Sequence, residues 1–197
     1  MANNDGDKLY KNGYRAVKAS IDGNCRYSLE RVNGEVEGSK TLVTLLRSPS
    51  SANLVQSDRS TNYLTKAIMH GRNQYHSVIL INLTALKDIE PKGFEKNSEE
   101  IKRHEEENAA EINQVLKSAG DFDCLIATGP IEGKLMTQLY CQDMEKIERT
   151  KASLYAFEAK SGFGALPDSR STKSSNLVSV KKDEESGSLI AVDSDAK

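Results

Sequence analysis

Thr41-Leu42-Val43-Thr44-Leu45-Leu46-Arg47-Ser48-Pro49-Ser50-Ser51-Ala52 passes from a dense apolar run straight into a loop of small hydroxyl residues. A second stretch repeats the pattern: Ser77-Val78-Ile79-Leu80-Ile81 runs into Asn82-Leu83-Thr84-Ala85. Short, nearly continuous apolar runs of this kind read as strands covered on both faces. Open α/β sheets build ligand sites where such strands end, at the carboxyl edge. The two runs therefore predict central strands, and the polar residues that end them mark where a site would lie.

On the N-terminal side, residues 1–12 are polar and expected to be loose. Tyr14 to Ile21 alternates weakly, and Asp22-Gly23-Asn24 supplies turn chemistry. Arg26-Tyr27-Ser28-Leu29-Glu30-Arg31-Val32 then alternates cleanly, which predicts a hairpin with Tyr27 and Leu29 inward and a wet, charged outer face. Asn33-Gly34 is a second tight-turn signal.

On the C-terminal side, Asp58 to His70 carries Tyr63, Leu64, Ala67 and Ile68 at helical spacing. Ser98 to Lys117 is the strongest helical pattern, with Ser98 as its cap. Phe122 to Ala127 reads as a third buried strand. Thr128-Gly129-Pro130 then turns into a helix running to about Met144, and Leu154 to Phe157 is a fourth strand. Beyond Gly164 serine and charge dominate, with too little apolar area to offset ordering entropy. The expectation is a single α/β domain over 13–166 and an unstructured tail over 167–197. The alternation of strands and helices predicts three layers, with a mostly parallel central sheet and an N-terminal β-hairpin.

The totals narrow the function classes. A chain of 197 residues with a net charge of −2 lacks the broad basic footprint of a nucleic-acid or membrane-surface binder. No stretch approaches the ~20 apolar residues of a membrane span, and the N-terminus carries no apolar signal region. Cys25, Cys124 and Cys141 are odd in number and irregular in spacing, which reads as buried reduced thiols in a cytoplasmic protein.

The candidate site residues follow from the strand ends. Ser48, Ser50 and Ser51 offer hydroxyls and backbone N–H groups to a phosphate or a base edge. The loop lacks the glycines and lysine of a P-loop. Asn82 can donate and accept at a ligand edge, or simply fix its loop, and Thr84 sits beside it. Asp58 reads first as the cap of the following helix, and otherwise as the nearby carboxylate able to orient a water. Thr128 and Gly129 open a helix at the same edge, where N–H groups can meet an anion. His104-Glu105-Glu106-Glu107-Asn108 fails as a zinc helix because Asn108 stands where the second histidine is needed, so no metal is expected.

Taken in order, these marks resemble a family of bacterial and phage proteins known as domain of unknown function 1643. Arg26-Tyr27-Ser28-Leu29-Glu30-Arg31 matches its Arg-Tyr-x-Leu-x-Arg strand. Ser48-Pro49-Ser50-Ser51-Ala52 resembles its Asn-Pro-Ser-Thr-Ala loop, with serine in place of asparagine. Asp58 to Thr61 resembles its Asp-x-Thr segment, and Leu80 to Ala85 its Val-Val-Asn-Leu-x-Ala strand. Pro91, Asn108, Thr128-Gly129, Lys160 and Gly162 fall where further marks of the family stand. The family's closing His-Pro pair is represented only by Pro167. A fold-level likeness to uracil-DNA glycosylases runs through the same polar loop, asparagine strand end and glycine turn. It implies handling of an extruded base.

The resulting expectation is binding of a nucleotide, nucleobase or nucleic-acid end at the carboxyl edge, with no cofactor. A degenerate glycosylase-like hydrolase using Asp58 and Asn82 is its enzyme version. The alternative is a non-enzymatic module that meets a protein partner through its tail and charged helix.

Overall fold

The hairpin read from the first strand pair forms: β1 (Tyr14–Asp22) and β2 (Cys25–Asn33) pair antiparallel around Gly23, whose φ of +53° suits a residue without a side chain. The computed structural model describes residue 10 and residues 13–38, 40–69, 74–159, 162–164, 172–183 and 185–192. The expectations on residues 1–9, His70, Lys160 and Pro167 lie outside the described residues.

β3 (Thr41–Leu46) pairs parallel with β4 (Ser77–Asn82) on one side and with β5 (Phe122–Ile126) on the other. β5 pairs parallel with β6 (Ser153–Ala159). These four strands are the parallel core of the sheet, and the helices of the described residues fall between them. α1 (Arg59–Met69) joins β3 to β4. α2 (Ser98–Arg103) and α3 (Glu105–Ser118) join β4 to β5, and α4 (Lys134–Arg149) joins β5 to β6. The pattern read as one helix from Ser98 is thus two, parted at His104, and Asn97 rather than Ser98 stands at its N-terminal boundary.

The sheet is mixed, not mostly parallel. β2 lies antiparallel to β4, and β7 (Gly162–Phe163) and β8 (Thr172–Lys182) lie antiparallel to β6. β9 (Leu189–Ala191) in turn pairs antiparallel with β8. The reason is the connections. Parallel neighbours require a crossover, and among the described residues helical crossovers lie only between β3 and β6.

The chain beyond 167, expected to be unstructured, contains β8 and β9. Leu177 and Val178 register against Phe157 and Ala156, and Val180 is buried. Composition undervalued this segment because a strand also gains a ladder of backbone hydrogen bonds, and β8 covers what would otherwise be a bare edge of β6.

Alternation along the strands divides the core. Leu42, Leu80, Leu125 and Phe157 pack with Leu64, Ala67 and Ile68 of α1. Val43, Leu45, Ile81 and Ile126 pack with Ile112 and Val115 of α3 and with Leu139 and Met144 of α4. Cys25 and Cys124 are buried, whereas Cys141 is exposed on α4, against expectation; all three are free. Among the described residues no helix is long and apolar enough to cross a membrane.

Asp143 of α4 is buried, with Lys146 Nζ at 2.7 Å. Burial pushes its carboxyl up to about 6, helped by Glu105 across the α3–α4 contact and only partly opposed by Lys146. The native chain thus binds this proton more tightly than the unfolded one. The contribution favours folding below about pH 4 and is lost as pH rises through about 6. Asp143→Asn is expected to raise the melting temperature at pH 7.5, and the gain to vanish at pH 4. Melting curves at the two pH values measure this.

Truncation after Gly164 is expected to lower the melting temperature by about 5 °C. Re-exposing a side chain such as Val180 costs about 1.5–3 kcal/mol, at roughly 2–4 °C per kcal/mol for a chain of this size. Calorimetry of the shortened chain checks it.

Candidate functional site

The ends of β4, β3 and β5 lie side by side. Leu46 registers with Asn82, and Leu45 with Ile126. Past the strands the pairing continues: Leu83 N–H donates to the Leu46 carbonyl at 2.9 Å and Ala127 N–H to the Leu45 carbonyl at 2.9 Å. The polar loops after the three strands therefore share one edge.

A cavity of about 300 Å³ opens at that edge, on the α1 side. Arg47, Ser48, Pro49 and Ser50 form one wall and Ser60, Thr61 and Leu64 of α1 another. Asp88, Ile89 and Glu90 close a third. Asp88 holds a left-handed backbone, φ +58°, tied by its N–H to the Pro49 carbonyl at 2.8 Å. Ser48 Oγ donates to the Ile89 carbonyl at 3.0 Å, which joins two of the walls.

Arg47 is the cation of this cavity. It is half-buried, and its Nε has no hydrogen-bond partner among the described residues. Burial pushes the guanidinium down from its ordinary value, while the carboxylates of Glu132 and Glu90 draw it up. A Cβ on Gly129 would lie 3.4 Å from Arg47 Nη1, and Gly129 has φ +74°. Glycine at 129 thus meets a backbone need and a close approach together.

The residues singled out from sequence divide. Ser48 and Ser50 line the cavity; Ser51 is exposed beside it. Thr84 is buried, and its Oγ1 accepts the Leu86 N–H at 3.3 Å, so it fixes its own turn. Thr128 is buried and donates to the Gly129 carbonyl at 3.1 Å. Gly129 N–H donates to the Gly164 carbonyl at 2.8 Å.

Asp58 is held on both oxygens. Oδ1 accepts the Thr61 N–H at 2.8 Å, the capping bond of α1, and Oδ2 accepts the Ala52 N–H at 2.8 Å. Burial opposes its ionisation, but hydrogen bonds from Ser50 and Thr61 and from the two amides prevail and keep the carboxyl below the usual range. Asn82 is fully buried, and neither side-chain atom has a hydrogen-bond partner among the described residues. Its carbonyl accepts Asn108 Nδ2 at 2.9 Å, which ties β4 to α3. Neither Asp58 nor Asn82 lines the cavity.

Sequence reasoning missed Arg47, Ser60, Thr61, Asp88 and Glu90. It also placed the charges of β2 in water, whereas Arg26 and Arg31 are both fully buried. The physical reason is a β-bulge. Ser20 registers with Ser28 but Ile21 with Arg26, which leaves Tyr27 as an extra residue. Tyr27 and Ser28 both turn to α3, bonding Glu107 at 2.8 Å and Glu111 at 2.5 Å. Arg26 is thereby rotated to the α1 face, the face of Arg31. There Arg26 Nη1 donates to the Ala52 carbonyl at 2.7 Å and Arg31 Nη1 to the Thr61 carbonyl at 3.3 Å.

No curated protein and no solved structure matches this chain. The model of a family described as "Protein of unknown function (DUF1643)" matches residues 26–163, from buried Arg26 through the cavity loops to β7. That match takes in β2 from its second residue, β3 to β7 and all four helices, and the chain belongs to the DUF1643 family.

Proposed function

We propose that the protein binds a nucleotide, a nucleobase or a nucleic-acid end in the cavity beside β3. The observation that carries this reading is Arg47: a half-buried guanidinium with an unpartnered Nε, set among the hydroxyl residues Ser48, Ser50, Ser60 and Thr61. The arginine itself suits planar or tetrahedral acceptor groups, since the Ser48 hydroxyl is bonded to the Ile89 carbonyl and those of Ser50 and Thr61 to Asp58. At about 300 Å³ the cavity is at the small end of ligand pockets, a size for one nucleotide and not for a dinucleotide.

The binding reading is better supported than the hydrolytic one. A general base needs a free oxygen within reach of its water, and both Asp58 oxygens already accept backbone N–H groups. A glycosylase-like reaction would need another carboxylate, and Asp88 and Glu90 are the ones at the cavity. The interaction-module reading has its own support in Leu54 and Val55, 50% and 82% exposed on the loop between the cavity wall and α1. Three free thiols, one of them exposed, suit a reducing compartment such as the cytoplasm.

Isothermal titration with nucleosides, nucleoside mono-, di- and triphosphates and short single-stranded oligonucleotides tests the reading. Arg47→Ala is expected to weaken the best ligand about 10–100-fold, the worth of one charged hydrogen bond, with the melting temperature of the free protein little changed. Absence of any binding at millimolar concentration overturns the proposal. Asn82→Ala is expected to leave the free protein's melting temperature within about 2 °C, because its amide has no hydrogen bond to lose. Because Asn82 does not line the cavity, the variant is expected to weaken the same ligand less than Arg47→Ala does, read in the same titration.

A further inference from the structure

Arg26 and Arg31 are the largest fully buried side chains of the described residues, and both are cations. Buried charges are normally paired. Here, among the described residues, no carboxylate lies within ion-pair distance of either guanidinium. The Asp58 carboxylate and the Tyr10 phenol are felt by both guanidiniums, and Asp88 by Arg26. The Asp58 oxygens are already committed to Ala52 and Thr61 N–H groups and to the Ser50 and Thr61 hydroxyls. Tyr14 offers Arg31 only a ring face, 6.0 Å from the guanidinium carbon.

The unused atoms are the same in both residues. Arg26 spends Nη1 on the Ala52 and Ser50 carbonyls, at 2.7 and 3.4 Å. Arg31 spends Nη1 on the Thr61 carbonyl. Nε and Nη2 of each remain without a partner. Those two nitrogens carry the parallel N–H bonds of the guanidinium fork, the edge that grips a carboxylate or phosphate with two hydrogen bonds. Two buried forks are thus left open on one face of β2.

Their position ties them to the cavity. Ser50 and Thr61 line it, and their carbonyls are among those that Arg26 and Arg31 hold from behind. Ser50 and Thr61 thus touch the cavity and a buried arginine together. Thr44 Oγ1 and the Asn82 amide, also buried and unpartnered, belong to the same α1 face of the sheet.

We infer that Arg26 and Arg31 form a phosphate seat beneath the Ser48–Ala52 loop, so that the ligand of this site is a phosphorylated one and not a free base or nucleoside. The inference rests on the nucleotide reading for the rest of the ligand. The loop lifts to admit the phosphate, whose oxygens take the Nε and Nη2 hydrogens. The hydrogen bonds from Nη1 to the loop and to α1 then fix the walls around it.

The test uses the full chain with inorganic phosphate and pyrophosphate, against sodium chloride of equal ionic strength. Melting temperature is expected to rise saturably with phosphate and not with chloride. Arg26→Lys and Arg31→Lys keep the charge but lose the fork, and each is expected to weaken phosphate at least tenfold. In the wild-type protein, two arginine Nε–H signals in ¹H–¹⁵N spectra are expected to shift as phosphate is added, which decides the matter even if a lysine variant does not fold. The seat is overturned if phosphate acts no differently from chloride, if both lysine variants bind it as the wild type does, or if no buried arginine signal moves. Failure of the nucleotide reading looks different. Phosphate then binds through the two arginines, but no nucleotide binds more tightly than phosphate itself. Conversely, a nucleoside that binds as well as its phosphate, indifferent to both lysine variants, overturns the seat and leaves the nucleotide reading standing.

Discussion

β3 is hydrogen-bonded on both sides and covered on both faces, and the rest of the structure is arranged around that constraint. Its partners β4 and β5 run parallel to it, so the chain must leave the carboxyl edge and return before each can form. α1 makes one return and α2 with α3 the other. The loops that begin these returns are brought to one edge by backbone pairing alone, without any need for their side chains to attract one another. The cavity inherits its position from this geometry. Its chemistry comes from which residues happen to stand in the first few places beyond the strands.

The loop from Arg47 to Asp58 shows how such a position becomes a site. A connection of this length needs internal bonds to hold one shape. Asp58 supplies them by capping α1 with one oxygen and gripping Ala52 with the other. Arg26 pulls on the same segment from beneath through the Ala52 carbonyl. The loop is therefore pinned at Ala52 from two directions, while Arg47, Ser48 and Ser50 line the cavity. Asp58 serves the site by shaping it, which the sequence reading weighed as its first role.

What was legible in the sequence and what was not follows from the range of the interactions involved. The central strands, α1 and the alignment of the Leu46, Ile81 and Ala127 ends could be read because apolar periodicity and crossover rules act over a few residues or on connection order. The place of Ser48 and Ser50 at that edge could be read for the same reason. Tyr27 hid the two arginines: one extra residue in β2 breaks the alternation on which face assignment depends, and only the register with β1 reveals it. β8 was hidden because its ladder to β6 is made by backbone atoms that composition does not weigh. Asp88 and Glu90 are separated from β3 by some forty positions and meet the cavity only through tertiary packing.

The bulge at Tyr27 gives β2 two phases. Upstream of it, Cys25 and Arg26 alternate in one frame; downstream, Leu29 to Val32 alternate in the other. A strand that kept every residue but ran regularly through Tyr27 would have one phase. Arg26 would then turn toward α3, where Glu107 and Glu111 now meet Tyr27 and Ser28. The spacing of five between the two arginines is thus a punctuation mark, not a decoration of the chain. A comparison of family members that counted residue types but not their separation would miss the difference between a paired guanidinium face and a single one.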